Sequence, residues 1–124
     1  SGLVVYKPRN VTIGNNVSIN INCTLQAHAP ITIGDFTLIA ANCLVITANH
    51  DLEKRGLDAF YTLEKRAVAI GSECWLGTGV IVLPGVTIGD ATVVGAGSVV
   101  THDLPSDKIC VGVPARPVRN RPGP

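Results

Sequence analysis

The sequence is poor in aromatic side chains and contains no methionine. Only 4% of its 124 residues are Phe, Trp or Tyr, with a single Trp, whereas 46% are hydrophobic. The core must therefore consist of Val, Ile, Leu, Ala and Cys, a composition that favours β-structure. A chain of this length is expected to form one domain, and a partner subunit would add to its buried surface.

An excess of charge of one sign is also missing. Ten Lys and Arg oppose nine Asp and Glu, so the formal net charge is +1. Nucleic-acid and membrane binding usually need a concentrated basic surface, and neither is expected. No apolar run approaches the roughly 18 residues of a membrane span, and the start of the chain lacks a signal-peptide pattern. We therefore expect a cytoplasmic protein without membrane insertion.

The cysteines form no C-x-x-C pair and show no metal-ligand spacing. They lie at positions 23, 43, 74 and 110. We expect them to be reduced, buried residues that behave as small apolar side chains, and we expect no metal site.

What the sequence has in abundance is a period of six residues. Ile, Leu or Val occupies positions 13, 19, 25, 33, 39, 45, 70, 76, 82, 88, 94 and 100. Helices repeat at about 3.6 residues and half-buried strands at two, so a period of six indicates a short strand followed by a turn. Three units return the chain to its starting side, about 4.8 Å further along. The pattern predicts an all-β fold, a triangular parallel β-helix of four 18-residue coils, 11–28, 31–48, 68–85 and 86–103.

These coils divide the chain into three parts. Residues 1–10 are a lead-in, 11–103 form the hexapeptide-repeat domain, and 104–124 form a C-terminal tail. The repeat is interrupted at 49–67, which holds eight of the nineteen charged residues and two adjacent aromatic residues. Such a segment cannot enter a core, so it should protrude as a long loop from one corner of the prism.

The run CWLGTGVIVLPGVTIGDATVVGAGSVVTHDLP, followed by VGVPARPV, resembles the hexapeptide-repeat acyltransferases. Within that family it is most similar to sugar and polysaccharide O-acetyltransferases of the galactoside, maltose and Nod-factor type, over about residues 11–119. The resemblance implies a left-handed β-helix and a homotrimer with active sites between subunits. It also implies direct transfer of an acetyl group from acetyl-CoA to a hydroxyl of a sugar or cell-surface glycan precursor.

The resemblance assigns two residues to catalysis. His50, at the base of the loop, would be the general base, because imidazole can take the proton of a sugar hydroxyl near neutral pH. Asn22 would contact the acceptor, although asparagine is also a common turn residue in such coils. Relatives usually have proline where this chain has Asp51, which either orients His50 or is merely solvated. Gln26 replaces an acceptor-binding aspartate, which weakens a claim to galactoside or maltose.

The resemblance also assigns the acetyl-CoA site, namely Trp75, Thr78, Ala96, Thr101, His102, Arg116 and Arg119. Trp75 should point outward, since it alternates with inward neighbours on a strand. Thr78 would offer a backbone N–H toward the thioester. His102 stands where relatives have lysine and would be a weaker phosphate ligand, whereas the arginines suit phosphate by charge and geometry.

Two other functions compete with acetyl transfer. Carbonic anhydrases of the γ type share this fold and bind zinc through three histidines, and His28, His50 and His102 should lie near one corner. Their separations, 22 and 52 residues, do not place two of them on one short segment as those enzymes require. A non-catalytic trimeric scaffold is the other alternative, but it would gain nothing from a long charged loop.

The acceptor is left open by the sequence, including the choice between a hydroxyl and an amine. The sugar acetyltransferases carry a helical segment before their coils, and only ten residues precede the first coil here. Either the site is open to a bulkier or polymeric acceptor, or the segment was removed from a longer chain.

Overall fold

The computed structural model describes residues 2–123. Its strands are, in chain order, β1 (Val4–Tyr6), β2 (Val11–Ile13), β3 (Ser18–Ile19), β4 (Thr24–Gln26), β5 (Ile31–Ile33), β6 (Leu38–Ile39), β7 (Leu44–Ile46), β8 (Ala48–His50), β9 (Leu63–Lys65), β10 (Val68–Ile70), β11 (Trp75–Leu76), β12 (Ile81–Val82), β13 (Thr87–Ile88), β14 (Val93–Val94), β15 (Val99–Val100), β16 (Lys108–Gly112) and β17 (Ala115–Asn120). A 3-10 turn spans Pro8–Asn10 and the helix α1 spans Gly56–Tyr61.

The strands stack into three parallel faces. Face A has the order β1-β4-β7-β12-β15, and face B has the order β2-β5-β10-β13. Face C has the order β3-β6-β11-β14-β16-β17, in which only the last pair is antiparallel. Along the chain, successive parallel strands belong to face B, then face C, then face A, so the molecule is a triangular β-helix. No helix within residues 2–123 is long and apolar enough to cross a membrane.

Each face contributes to the core an inward file of mostly aliphatic side chains, and face B contributes a second such file. The files follow the strand register, with one residue directly over the next in adjacent coils. On face A the file is Leu25, Val45, Val82 and Val100. On face C it is Ile19, Ile39, Leu76, Val94 and Cys110. The six-residue period places one such side chain in every strand, which is why a core with few aromatic residues is continuous.

Thiols and hydroxyls occupy several inward positions beside these files and donate to a carbonyl of the next coil. Thr37 Oγ1 donates to the Gly71 carbonyl at 2.7 Å, and Cys43 Sγ donates to the Gly77 carbonyl at 3.2 Å. All four cysteines are buried and unpaired. Desolvation by burial raises the pKa of Cys43 to about 11, so this thiol is a structural donor and a poor nucleophile.

The β-helix extends beyond the predicted bounds of 11–103. In the lead-in, β1 pairs with β4, and in the tail Leu104 bridges to Ile88 and β16 pairs with β14. The sequence period misses both extensions because the corners there have other lengths. Ile13 follows the inward Val5 by eight positions and Leu104 follows Val100 by only four, where the regular repeat has six.

The turns stack into three corners, named by the faces that they join. Corner AB consists of residues 7–10, 27–30, 47–67, 83–85 and 101–103. Corner BC consists of residues 14–16, 34–36, 71–73, 89–91 and 105–107. Corner CA consists of residues 20–22, 40–42, 77–79 and 95–97. Every insertion into a corner points away from the core, because the strands on either side are fixed by pairing.

Leu76 tests the contribution of the inward files to stability. Its side chain is 0% exposed and lies between Ile39 and Val94 in face C. We expect Leu76→Ala to lower the free energy of unfolding by about 2–5 kcal/mol, from lost burial and the cavity left behind. Leu52→Ala, at a side chain that is 97% exposed, is the control and should change it by less than about 0.5 kcal/mol. Urea unfolding followed by circular dichroism measures both, and equal effects would contradict this packing.

Candidate active site

The interruption at 49–67 is a short hairpin that leaves corner AB. β8 pairs antiparallel with β9, with His50 opposite Leu63, and α1 lies between the two strands. The segment protrudes as predicted, but it has regular structure that the sequence analysis did not anticipate. Antiparallel pairing supplies backbone partners to a chain that has left the parallel faces.

His50 ends β8 and its ring is held by the hairpin itself. Nδ1 lies 2.7 Å from the carbonyl oxygen of Ala59, in α1. A carbonyl oxygen only accepts, so Nδ1 carries a proton, and in the neutral ring Nε2 keeps its lone pair. The ring borders an open pocket lined by Asn49, His50, Asp51, Leu52, Glu53 and Glu64. This tautomer can take a proton from a group placed at Nε2.

Asp51 does not orient His50 through Nδ1. Its Oδ1 accepts from the backbone N–H of Glu53 at 2.9 Å, which closes a local turn at the tip of β8. The orienting partner is the carbonyl of Ala59, a residue that sequence reasoning missed. No side-chain chemistry marks Ala59, and its role depends on how α1 returns toward β8.

Asn22 is the last residue of the first turn in corner CA. Its φ of +58° is the left-handed conformation that asparagine tolerates well, which accounts for an asparagine there. Corner CA and corner AB are at opposite ends of face A, roughly 15–20 Å apart for a strand and its flanking residues. Within one chain Asn22 and His50 are therefore not brought together.

Three predicted residues stack along corner CA. Asn22 lies in the first coil of this corner, Thr78 in the third and Ala96 in the fourth, and the backbone N–H of Gly97 donates to the Thr78 carbonyl at 2.8 Å. A Cβ on Gly77 would lie 2.7 Å from the Ala96 nitrogen, so only glycine permits this spacing. The corner is therefore a close-packed backbone edge with small side chains.

Trp75 lies on the outer surface of face C, with half of its side chain exposed. The strand register places it in one row across this face. The row consists of Ser18, Leu38, Trp75, Val93, Ile109 and Arg119. Trp75 and Arg119 are three strand spacings apart, about 14 Å. The structure thus brings two predicted acetyl-CoA ligands onto one surface.

Arg116 shares that surface because of a bulge in β17. Arg116 pairs with Val111, Arg119 pairs with Ile109, and the register shifts between Ile109 and Cys110. In a regular strand, residues three apart face opposite sides. The extra residue of the bulge, Val118, restores both arginines to the outer surface.

Thr101 and His102 lie apart from this row, at corner AB. Thr101 Oγ1 is 2.8 Å from Nδ1 of His102. His28 lies at the same corner, from which the hairpin that carries His50 also protrudes. Within residues 2–123, however, no group of three His, Cys, Asp or Glu side chains is placed to hold a metal ion. The predicted site residues therefore form two sets, one at corner AB and one on corner CA and face C.

Comparison with known proteins identifies this arrangement. The pattern described as bacterial transferase hexapeptide (six repeats) matches residues 67–102. A hexapeptide-repeat-containing acetyltransferase from Vibrio cholerae superposes with a TM-score of 0.86 at 34% identity, over 98% of this chain and 72% of that one. The chain belongs to the hexapeptide-repeat acetyltransferases. The all-β, left-handed parallel β-helix expected from the sequence is thereby confirmed.

A second structure of the Vibrio cholerae protein and two Escherichia coli relatives agree. The Vibrio cholerae protein crystallised with acetyl coenzyme A superposes with a TM-score of 0.92 at 36% identity, over 98% of this chain and 66% of that one. Galactoside O-acetyltransferase of Escherichia coli is 42% identical over 114 residues, 89% of this chain and 54% of that protein. An Escherichia coli acetyltransferase named for colanic acid biosynthesis is 38% identical, over 92% of this chain and 60% of its own. The chain spans about half the length of the curated relatives it matches.

The tautomer of His50 can be tested without any substrate. Because Nδ1–H donates to the Ala59 carbonyl, we expect neutral His50 to be protonated at Nδ1 and bare at Nε2. Nitrogen-15 NMR correlated with the ring protons measures this, and His28→Gln and His102→Gln variants assign the signals. A ring that is protonated at Nε2 would contradict the geometry.

Proposed function

We propose that this chain transfers the acetyl group of acetyl-CoA to a hydroxyl of a sugar or glycan precursor, with His50 as general base. The observation that carries the proposal is the Nδ1 contact of His50 with Ala59, since it leaves Nε2 free in an open pocket. Family membership supports the reaction class. The relative named for colanic acid biosynthesis supports a polysaccharide precursor as acceptor.

These groups account for direct transfer, in which the acceptor oxygen adds to the thioester and the adduct then collapses. Nε2 takes the proton of the acceptor hydroxyl as its oxygen attacks the thioester carbon, so that a C–O bond forms. The oxyanion that develops would be stabilised by a backbone N–H donor, the role that we give to Thr78. Collapse breaks the C–S bond, and the thiolate of CoA leaves and receives the proton from the imidazolium. A covalent enzyme intermediate is unnecessary, and the buried thiols are unsuited to form one.

The donor would lie along the outer surface of face C. Trp75 offers an exposed aromatic surface to it, and Arg119 and Arg116 offer guanidinium groups to its phosphates. Ala96 lies near Thr78 at the same corner, and its small side chain is exposed there. This surface of Trp75, Arg116 and Arg119, which we call the donor track, ends close to corner CA.

We further propose that the site is completed by a second copy, as in a homotrimer. His50 and Thr78 are at opposite ends of face A, too far apart to act together within one chain. The hairpin exposes Leu57, Phe60 and Tyr61 by 72%, 69% and 77%, an apolar surface that a neighbouring subunit would cover.

The same arrangement accounts for the remaining predicted residues. A hairpin lying against the neighbour's corner CA would bring His50 near that neighbour's Asn22, as acceptor binding requires. Thr101 and His102 would then meet the donor held by the adjacent copy. A cytoplasmic location fits the four unpaired thiols, which persist in reducing compartments.

The function of His50 is tested by its replacement with alanine. We expect His50→Ala to lower kcat/KM about 10²–10⁴-fold, the usual contribution of a general base, with little change in acetyl-CoA binding. Release of free CoA with sugars, amino sugars and glycan fragments measures it. His28→Ala, at the same corner but outside the hairpin, should retain activity. If the parent shows no acceptor-dependent release of CoA, the proposed activity is wrong.

Sharing of the site between copies is tested by mixing inactive variants. His50→Ala and Trp75→Ala subunits, unfolded together and refolded, should regain part of the parent activity, because some interfaces then combine two intact halves. Each variant refolded alone is the control. If the mixture stays as inactive as the separate variants while sedimentation shows a trimer, the residues act within one chain.

A further inference from the structure

Arg121 follows β17 and fastens the end of that strand to corner BC. Its backbone N–H donates to the Asp107 carbonyl at 2.9 Å. Its Nη1 donates to the carbonyls of Glu73, at 2.7 Å, and Ala91, at 3.2 Å. One residue thus contacts three successive coils of the prism.

Within residues 2–123, the two carbonyls that accept from Nη1 of Arg121 accept no hydrogen bond from the backbone of the next coil. At this corner, the carbonyl of the middle turn residue of each coil accepts a hydrogen bond from a backbone N–H of the next coil. The Ser72 carbonyl accepts from the Ala91 N–H, and the Asp90 carbonyl accepts from the Asp107 N–H. The last residues of these turns, Glu73 and Ala91, have left-handed φ of +56° and +59°, which turns their carbonyls toward Arg121. The guanidinium therefore fits a site that the stacked turns create.

β17 depends on such an anchor because it is the last strand of face C. It pairs with β16 alone, and the bulge interrupts that pairing. Its first residue, Ala115, is buried, whereas residues 116–120 are exposed. Arg116 and Arg119 lie in this exposed stretch, between the turn that begins β17 and the anchor that ends it.

We infer that Arg121 is a positioning residue for the acetyl donor: by clamping the end of β17, it holds Arg116 and Arg119 on the Trp75 surface. The inference rests on the proposed donor track. Arg121 itself is directed to corner BC, so it acts through the strand and not through contact with the donor. Loss of the clamp lets the end of β17 separate from β16 and disperses the two guanidinium groups.

The test compares Arg121→Ala with Arg121→Lys. We expect Arg121→Ala to raise the KM for acetyl-CoA about 5–10-fold while kcat changes less than about twofold, the pattern of lost binding. Arg121→Lys should stay within about twofold of the parent, because an ammonium can also donate to both carbonyls. Arg9→Ala, which removes an exposed arginine at the opposite end of the prism, is the control and should behave as the parent. Hydrogen exchange at the amides of 115–120 should be about tenfold faster in Arg121→Ala only.

Two further measurements separate positioning from direct contact. With S-acetylpantetheine, a donor without phosphates, Arg121→Ala should turn over as the parent does. Combined with Arg116→Ala and Arg119→Ala, it should add no further increase in KM for acetyl-CoA. A fully additive increase would mean that Arg121 binds the donor itself and would overturn the inference.

The remaining outcomes distinguish the inference from the function on which it rests. If Arg116→Ala and Arg119→Ala raise the KM but Arg121→Ala leaves both the KM and the exchange rates unchanged, the clamp is wrong and the donor track stands. If none of the three variants changes the KM, the donor track is wrong and the inference falls with it.

Discussion

The fold depends on one constraint, the in-register pairing of each strand with the strand of the next coil. Backbone N–H and C=O groups are satisfied along the long axis only if every coil places its strands directly over those below. That register puts Leu25 over Val45, and Val82 over Val100, so a continuous core follows from the same pairing. The corners are free to differ, because nothing inside the prism depends on their length.

This freedom explains where the candidate chemistry lies. The His50 hairpin is an insertion at corner AB, and the β17 segment follows the last parallel strand of face C. Both are departures from the repeat, and both carry polar groups that the core could not accept. The rigid coils fix the distance between the two ends of face A. A site that needs both ends must therefore be assembled from two copies.

The sequence predicted the repeating part of the fold well and its irregular parts poorly. The six-residue period identified the inward files and the four coils, because register alone determines them. It could not identify β1 or the coil that contains Leu104, since the corner after β1 and the corner before Leu104 have other lengths. It also predicted an irregular loop where β8, α1 and β9 form a hairpin, because pairing between distant residues of an insertion leaves no periodic signal.

The same distinction applies to the site. His50 was assigned from the family resemblance, which implies a catalytic histidine at the base of this loop, and Trp75 from the same resemblance together with the outward alternation of its strand. The group that orients His50 was not predicted, because it is a backbone carbonyl. Asp51 was the only orienting group that the sequence suggested. The carbonyl of Ala59 fixes the tautomer without placing a negative charge beside the ring. A carboxylate in that position would stabilise the imidazolium and hold the proton that the reaction must return to the leaving group. In the proposed mechanism a neutral acceptor leaves Nε2 as the group that exchanges protons, and the short helix that carries Ala59 then contributes to the catalytic arrangement through the tautomer that it fixes.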